Sequence, residues 1–169
     1  MKIVICSRSQ VFCMSQLIKP THVLRLIDPR NTVSIHPCVP IKNCLLLKFE
    51  DKFKAWEHNA PKEADVKQIL DWGKKLPTDV LLLAHCEAGV SRSTAASLSL
   101  LVQYYGNDKI DECIDMLNAI RPQAIMNEVI IDYADSLLSC NGELLQKVKQ
   151  YNSTKEFYLL IKNGFSNDE

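Results

Sequence analysis

The sequence predicts an α/β domain in which a central, largely parallel sheet is flanked by helices on both faces. Three observations carry this expectation. Short apolar runs of strand length alternate with helical patterns through the first half of the chain, and helical patterns accumulate after residue 93. The most apolar run, VLLLAH at 80–85, has the unbroken hydrophobic character of a central parallel strand.

The elements follow in order. KIVIC (2–6) reads as a short buried strand, and Ser9 is placed to cap a helix carrying Val11, Met14, Leu17 and Ile18. HVLRLI (22–27) and CLLLKF (44–49) are further strands, separated by a stretch whose Pro29, Pro37 and Pro40 oppose regular structure. After a polar loop, residues 61–72 read as a helix. Pro61 suits its first turn, Val66, Ile69 and Leu70 share a face, and Gly73 can end it. Pro77 breaks the chain before the 80–85 strand. Helices are then expected over Ser93–Tyr105 and Asp108–Ile120, the second with Ile110, Cys113, Ile114 and Leu117 on one stripe. Asn127 caps a last clear helix bearing Ile130, Ala134, Leu137 and Leu138. Residues 1–150 are read as one domain and 151–169 as an extension packed on it, where FYLLI (157–161) suits a helix or a strand equally.

Bulk properties narrow the function. Nearly half of the 169 residues are apolar and 24% are charged, the mixture of a soluble globular protein. Twenty basic side chains balance twenty acidic ones, so no net field favours nucleic acid or an anionic membrane. No apolar run is long enough to cross a bilayer, IVIC is too short for a signal-peptide core, and FSNDE carries no prenylation cysteine. Seven cysteines without a Cys-x-x-Cys pair fit reduced thiols better than disulfides or a zinc site. The expectation is a cytoplasmic protein with neither nucleic acid nor membrane as partner.

The chemistry concentrates in VLLLAHCEAGVSRSTAA, residues 80–96, where a buried strand runs into a short loop and then a helix rich in small residues. In α/β sheets, ligands bind beyond the carboxyl ends of the strands, so the loop from Cys86 to Arg92 occupies the expected place for a site. A loop wound about a tetrahedral oxyanion points successive backbone N–H groups inward, and the next helix adds its positive end. Gly89 supplies the backbone freedom for such a curl. Arg92 offers a planar fork that grips two phosphate oxygens. The same surroundings favour a thiolate at Cys86, which makes a nucleophile aimed at an anion cradle.

HCEAGVSRS matches the His-Cys-x5-Arg-Ser signature, and the chain over roughly residues 20–140 thereby resembles the protein tyrosine phosphatase superfamily, in particular its small dual-specificity and bacterial members. The segment RPQAIMN (121–127) is similar to the Arg-Pro…Asn stretch of those members, with Met126 where many have proline. The resemblance implies that Cys86 attacks phosphorus to form a phosphocysteine, and that Arg92 and the amides of Glu87, Ala88, Gly89, Val90, Ser91 and Arg92 bind the phosphate. It implies that Ser93 hydrogen-bonds the thiolate and that His85 orients the loop without transferring protons. It also implies a general acid on a loop before the helix leading to the cysteine strand. Asp51 has that position, with Glu57 and His58 on the same loop as alternatives, whereas Asp65 and Asp71 fall inside the expected helix.

Ordinary roles account for other residues. Arg121 is expected as a helix-end charge, Asn127 as a helix cap, and Trp56 and Trp72 as packing residues, Trp56 with the option of brushing a substrate. The cysteines other than Cys86 are expected in apolar packing, with Cys6 singled out as a partner for an oxidised Cys86. Arsenate reduction or sulfur transfer on a similar loop calls for a resolving cysteine or another loop size. A catalytically dead phosphate-binding module would lack the cysteine, arginine or acid. HCEAGV also occurs in phosphatase-like phytases, which are larger chains, and this loop has no lysine for a polyphosphorylated ligand. A phosphoprotein substrate is therefore expected, and the short chain, with little material for a deep rim, leans towards dual specificity. No metal or organic cofactor is called for.

Overall fold

In the computed structural model the described residues are 1–31 and 39–164, the side chains of 158–164 excepted; Cys38 and Pro37 lie outside them. Four strands, β1 (Lys2–Ser7), β2 (His22–Ile27), β3 (Cys44–Lys48) and β4 (Leu81–Cys86), form a wholly parallel sheet in the order β1-β4-β2-β3. Leu82 of β4 stands between Ile3 of β1 and His22 of β2, and Ala84 between Ile5 and Leu24. β4 is thus bonded on both sides, which explains its unbroken apolar sequence.

Alternation along the strands divides the apolar side chains into two layers. Ile3, Ile5, Leu24, Leu26, Leu82 and Ala84 belong to the main core, covered by α2 (Glu63–Gly73), α3 (Arg92–Tyr105), α4 (Ile110–Ile120), α5 (Glu128–Leu138) and α6 (Glu143–Gly164). Cys6, Val23 and Leu83 belong to a smaller cluster under α1 (Val11–Ile18). Helices flank both faces, as expected, but very unequally.

α3 is the central helix, and every residue from Arg92 to Val102 is buried. Its small residues let sheet and helices approach, and two of its hydroxyls are satisfied locally: Thr94 Oγ1 donates to the Ser91 carbonyl and Ser99 Oγ to the Ala95 carbonyl. Gly73 has a different role from the expected terminator. It is the last residue of α2, Lys74 caps it, and a Cβ at Gly73 would lie 2.4 Å from Leu100 Cδ2 of α3. Close approach of two helices fixes this glycine. α2 also starts at Glu63, two residues after Pro61, where Asp65 accepts from the Lys62 N–H at 2.9 Å.

The first helix departs further from expectation. A 3₁₀ turn, Arg8–Gln10, precedes α1, and the turn is closed by the Ser7 N–H donating to Gln10 Oε1, so Ser9 caps nothing. Val11 and Ser15 face the sheet while Leu17 is 76% exposed. At the other end of the chain, Asn127 Oδ1 accepts from the Ile130 N–H and caps α5 as read. Residues 157–161, open between helix and strand in the sequence, continue α6.

Candidate active site

The carboxyl ends of the four strands deliver Arg8, Asp28, the segment Phe49–Lys52 and Glu87 to one edge of the sheet. β4 ends at Cys86, the loop curls through Glu87–Ser91, and α3 begins at Arg92. Gly89 makes the curl possible in two ways. Its φ is +69°, and a Cβ there would lie 2.4 Å from the Cys6 carbonyl oxygen and 2.7 Å from the Ser7 nitrogen of neighbouring β1. Cys86 is 1% exposed. Its Sγ receives the Gly89 N–H at 3.2 Å and contacts Ser93 Oγ at 3.2 Å.

Arg92 is almost wholly buried, and its orientation is imposed from behind. Nη1 donates to the Phe49 carbonyl at 2.6 Å and to Asp28 Oδ1 at 2.7 Å. Nε has no hydrogen-bond partner among the described residues, and Asp51 Oδ2 stands 3.9 Å from it. With Nη1 engaged, an edge of the guanidinium is left for an incoming anion. A cavity of about 330 Å³ opens there, lined by Asp28, Glu50, Asp51, Glu87, Ala88 and Arg92 among others.

Asp51 therefore stands in the same hollow as Arg92. Its Oδ1 accepts from Ser91 Oγ at 2.8 Å and from Asn127 Nδ2 at 2.8 Å. Glu57 and His58, the alternatives on that loop, line a separate hollow together with Trp56. Trp56 is 80% exposed, contrary to the packing role expected of it, with Lys54 Nζ 5.3 Å from its ring centre. Trp72 does pack, edge-on to His22.

The loop is braced on its outer side by residues read as ordinary. Arg121 follows α4, yet its Nε donates to the Gly89 carbonyl at 2.9 Å and its Nη2 to the Ala88 carbonyl at 3.3 Å. The Ile125 N–H donates to the Val90 carbonyl. Arg8 meets both Glu87 carboxylate oxygens at 3.3 Å, and its N–H donates to the Glu87 carbonyl. Asp28, Arg121 and the second bonding end of Asn127 were not read from the sequence as site residues. Asp28 had a usable signal, since it directly follows the end of a parallel strand.

His85 lies below the loop on the α1 side of the sheet, two residues after Leu83. Burial, and next the positive charge of Arg25, push its pKa down to about 4, so its ring is neutral. Cys6, opposite His85 in register, belongs to the cluster under α1, whereas Cys86 belongs to the main core. Burial pushes the Cys6 thiol up to about 11. Opposite faces and a protonated thiol both disfavour a Cys6–Cys86 linkage. Among the described residues no three His, Cys, Asp or Glu side chains are grouped to hold a metal ion, and no helix is long and apolar enough to cross a membrane.

No protein-family profile matches the sequence, and no curated protein matches it. Solved structures do. Human DUSP28 superposes with a TM-score of 0.60 at 17% identity, covering 81% of this chain and 88% of that one. The PTP-2 phosphatase of Cydia pomonella gives 0.60 at 18% identity, over 80% and 85% of the two chains. PTPMT1, solved in complex with PI(5)P, gives 0.53 at 16% identity, over 89% and 94%. Identities this low speak to the fold. The chain shares the α/β fold of these solved phosphatase structures.

Proposed function

We propose that this protein is a cysteine-dependent phosphatase that hydrolyses phosphomonoesters of phosphoproteins, phosphotyrosine and also phosphoserine or phosphothreonine, through a phosphocysteine intermediate. The observation that carries the reading is the thiol of Cys86, set between the Gly89 N–H and the Ser93 hydroxyl, on a loop that ends in the anchored guanidinium of Arg92.

In this reading, Cys86 Sγ attacks phosphorus while Arg92 and the loop amides hold the equatorial oxygens, whose charge they stabilise most in the transition state. Asp51 protonates the leaving oxygen and then takes a proton from the water that attacks the phosphocysteine. The Ser93 hydroxyl donates to the departing thiolate in that second step.

Charge at the rim favours a singly phosphorylated group on a protein. Arg30 and Lys52 both lie against Glu50, at 3.5 and 3.4 Å, Lys52 also lies 3.8 Å from Glu57, and Arg8 lies against Glu87. Each of these cations is already matched by an acid, so a second phosphate on the substrate would meet carboxylates. A lipid or inositol phosphate is the second reading, favoured by the likeness to PTPMT1, whose solved complex contains PI(5)P.

Hydrolysis of para-nitrophenyl phosphate against pH, without added metal, tests the reaction. The wild type turns over. Cys86→Ser abolishes turnover, and Asp51→Asn slows it by about 10²- to 10⁴-fold and loses the basic limb of the pH profile. Vanadate binding without any turnover would leave a phosphate-binding module instead. Parallel assays on phosphopeptides and on phosphatidylinositol phosphates decide between the substrate classes.

A further inference from the structure

Phe49 joins two hollows. Its carbonyl accepts from Arg92 Nη1 at 2.6 Å, and the same residue lines the cavity of about 420 Å³ that holds Trp56, Glu57 and His58. Lys52 marks the divide between them. It lines the phosphate hollow, and its Nζ lies 3.8 Å from Glu57 of the second. The two hollows adjoin, so a polypeptide whose phosphoryl group sits at Arg92 has the second within reach of its neighbouring residues.

The hollows differ in charge. Around the phosphate hollow, Arg30 and Lys52 are matched by Glu50 and Arg8 by Glu87. In the second, Lys48 and Lys62 are exposed, and among the described residues neither has a carboxylate within ion-pair distance. Lys54, with Nζ 5.3 Å from the Trp56 ring centre, adds a third cation. The acids of this wall are already engaged: Glu57 faces Lys52, and Asp65 Oδ2 accepts from the Lys62 N–H at 2.9 Å. What is left over is positive charge together with the donor-only N–H of the Trp56 indole.

The wall also has an apolar part. Trp56 is 80% exposed, with buried Phe49 and Ala60 in the same lining. Its loop is fastened rather than loose: the Glu50 N–H donates to the Asn59 carbonyl at 2.8 Å, and the Glu57 N–H to the Lys54 carbonyl at 3.1 Å. A large indole displayed on a closed loop, beside unmatched ammonium groups, suits a ligand with methylenes and an anionic end.

We propose that this second hollow is a substrate subsite, in which Lys48, Lys62 and Trp56 receive an aspartate or glutamate side chain flanking the phosphorylated residue. The proposal rests on the phosphoprotein reading above and adds a sequence preference to it. The carboxylate meets the two ammonium groups, and the side-chain methylenes and adjoining backbone lie against the indole. A ring of hydroxyls, as in an inositol phosphate, matches that apolar wall less well.

The test is a set of phosphopeptides in which one asparagine is replaced by aspartate, at each position in turn on either side of the phosphoresidue. The readout is the ratio of kcat/KM for each aspartate peptide to its asparagine twin. In the wild type this ratio is expected to rise to about three- to tenfold at one or two positions, and to shrink as salt is added. The double variant Lys48→Glu/Lys62→Glu should invert it, favouring a lysine peptide at those same positions, and Trp56→Ala should lower it. Thermal melting and vanadate binding verify the fold. A ratio near one at every position in the wild type, or a preference that survives the charge reversal, overturns the subsite while turnover of the asparagine peptides leaves the phosphoprotein reading standing. Turnover of phosphatidylinositol phosphates but of no phosphopeptide overturns both.

Discussion

At Gly89 the backbone turns through positive φ and passes so close to β1 that a Cβ would lie 2.4 Å from the Cys6 carbonyl oxygen. The same residue sends its N–H to Cys86 Sγ and offers its carbonyl to Arg121. One position thus ties the Cys86 thiol, the loop and the neighbouring strand. Gly89→Ala is expected to destabilise the fold by about 1–3 kcal/mol through backbone strain and collision. It should also lower kcat/KM by tenfold or more, on the order of 1.4 kcal/mol per factor of ten. Denaturant unfolding and steady-state kinetics check the two effects separately, and a fully active, equally stable variant would contradict this account. Neither effect could be read from HCEAGVSRS alone, since the motif asks for a flexible residue but does not say what lies beside it.

Among the elements, α6 was the least legible and turns out to hold the site's outer frame. Its buried face is Leu144, Val148 and Asn152, at helical spacing but with an amide in the stripe, and that hides the periodicity. Asn152 Oδ1 accepts from the Met126 N–H at 2.9 Å, and its Nδ2 donates to the Met126 carbonyl at 2.8 Å. Met126 lies in the segment between Arg121, which braces the loop, and Asn127, which holds Asp51. Asn152→Leu leaves both backbone groups of Met126 buried without partners, at a cost of about 2–5 kcal/mol. The expected outcome is a lower melting temperature, with kcat/KM also reduced in the fraction that remains folded. Unaltered kinetics in a destabilised variant would restrict α6 to a packing role. α1 shows the converse case. Its apolar residues include Leu17, which faces solvent, because an eight-residue helix needs only a narrow stripe to cover the small cluster beneath it.

On the scale of the whole molecule, equal numbers of acids and bases leave stability to local groups rather than to net repulsion. His85, beneath the loop, is the clearest of these. Its pKa falls from an unfolded value of about 6.5 to about 4 in the fold, mainly through burial and then through Arg25. The unfolded chain therefore binds more protons than the folded one between those values. The stability His85 contributes is complete above pH ~6.5 and is lost as the pH falls towards ~4, on the order of 3 kcal/mol. Denaturant unfolding at neutral pH and at about pH 4.5 should show this loss, and His85→Asn should flatten it. Equal slopes for the two proteins would place the acid limb elsewhere.

The sequence by itself determined the class of the fold, the four strands, a helix placed over Ser93–Tyr105 and the loop from Cys86 to Arg92 that joins strand to helix. These are local facts: apolar runs mark buried strands, and a glycine between an apolar run and a segment of small residues marks a tight strand-to-helix loop. Tertiary structure alone decided the strand order, the pairing of Arg92 with Asp28 and Phe49, and the separation of Asp51 from Glu57 and His58 into different hollows. It also decided that Arg121 and Asn127 serve the site as well as ending and starting helices. Each of these joins residues far apart in the chain, where a side chain's second hydrogen bond depends on what packing brings opposite it and leaves no trace in local pattern.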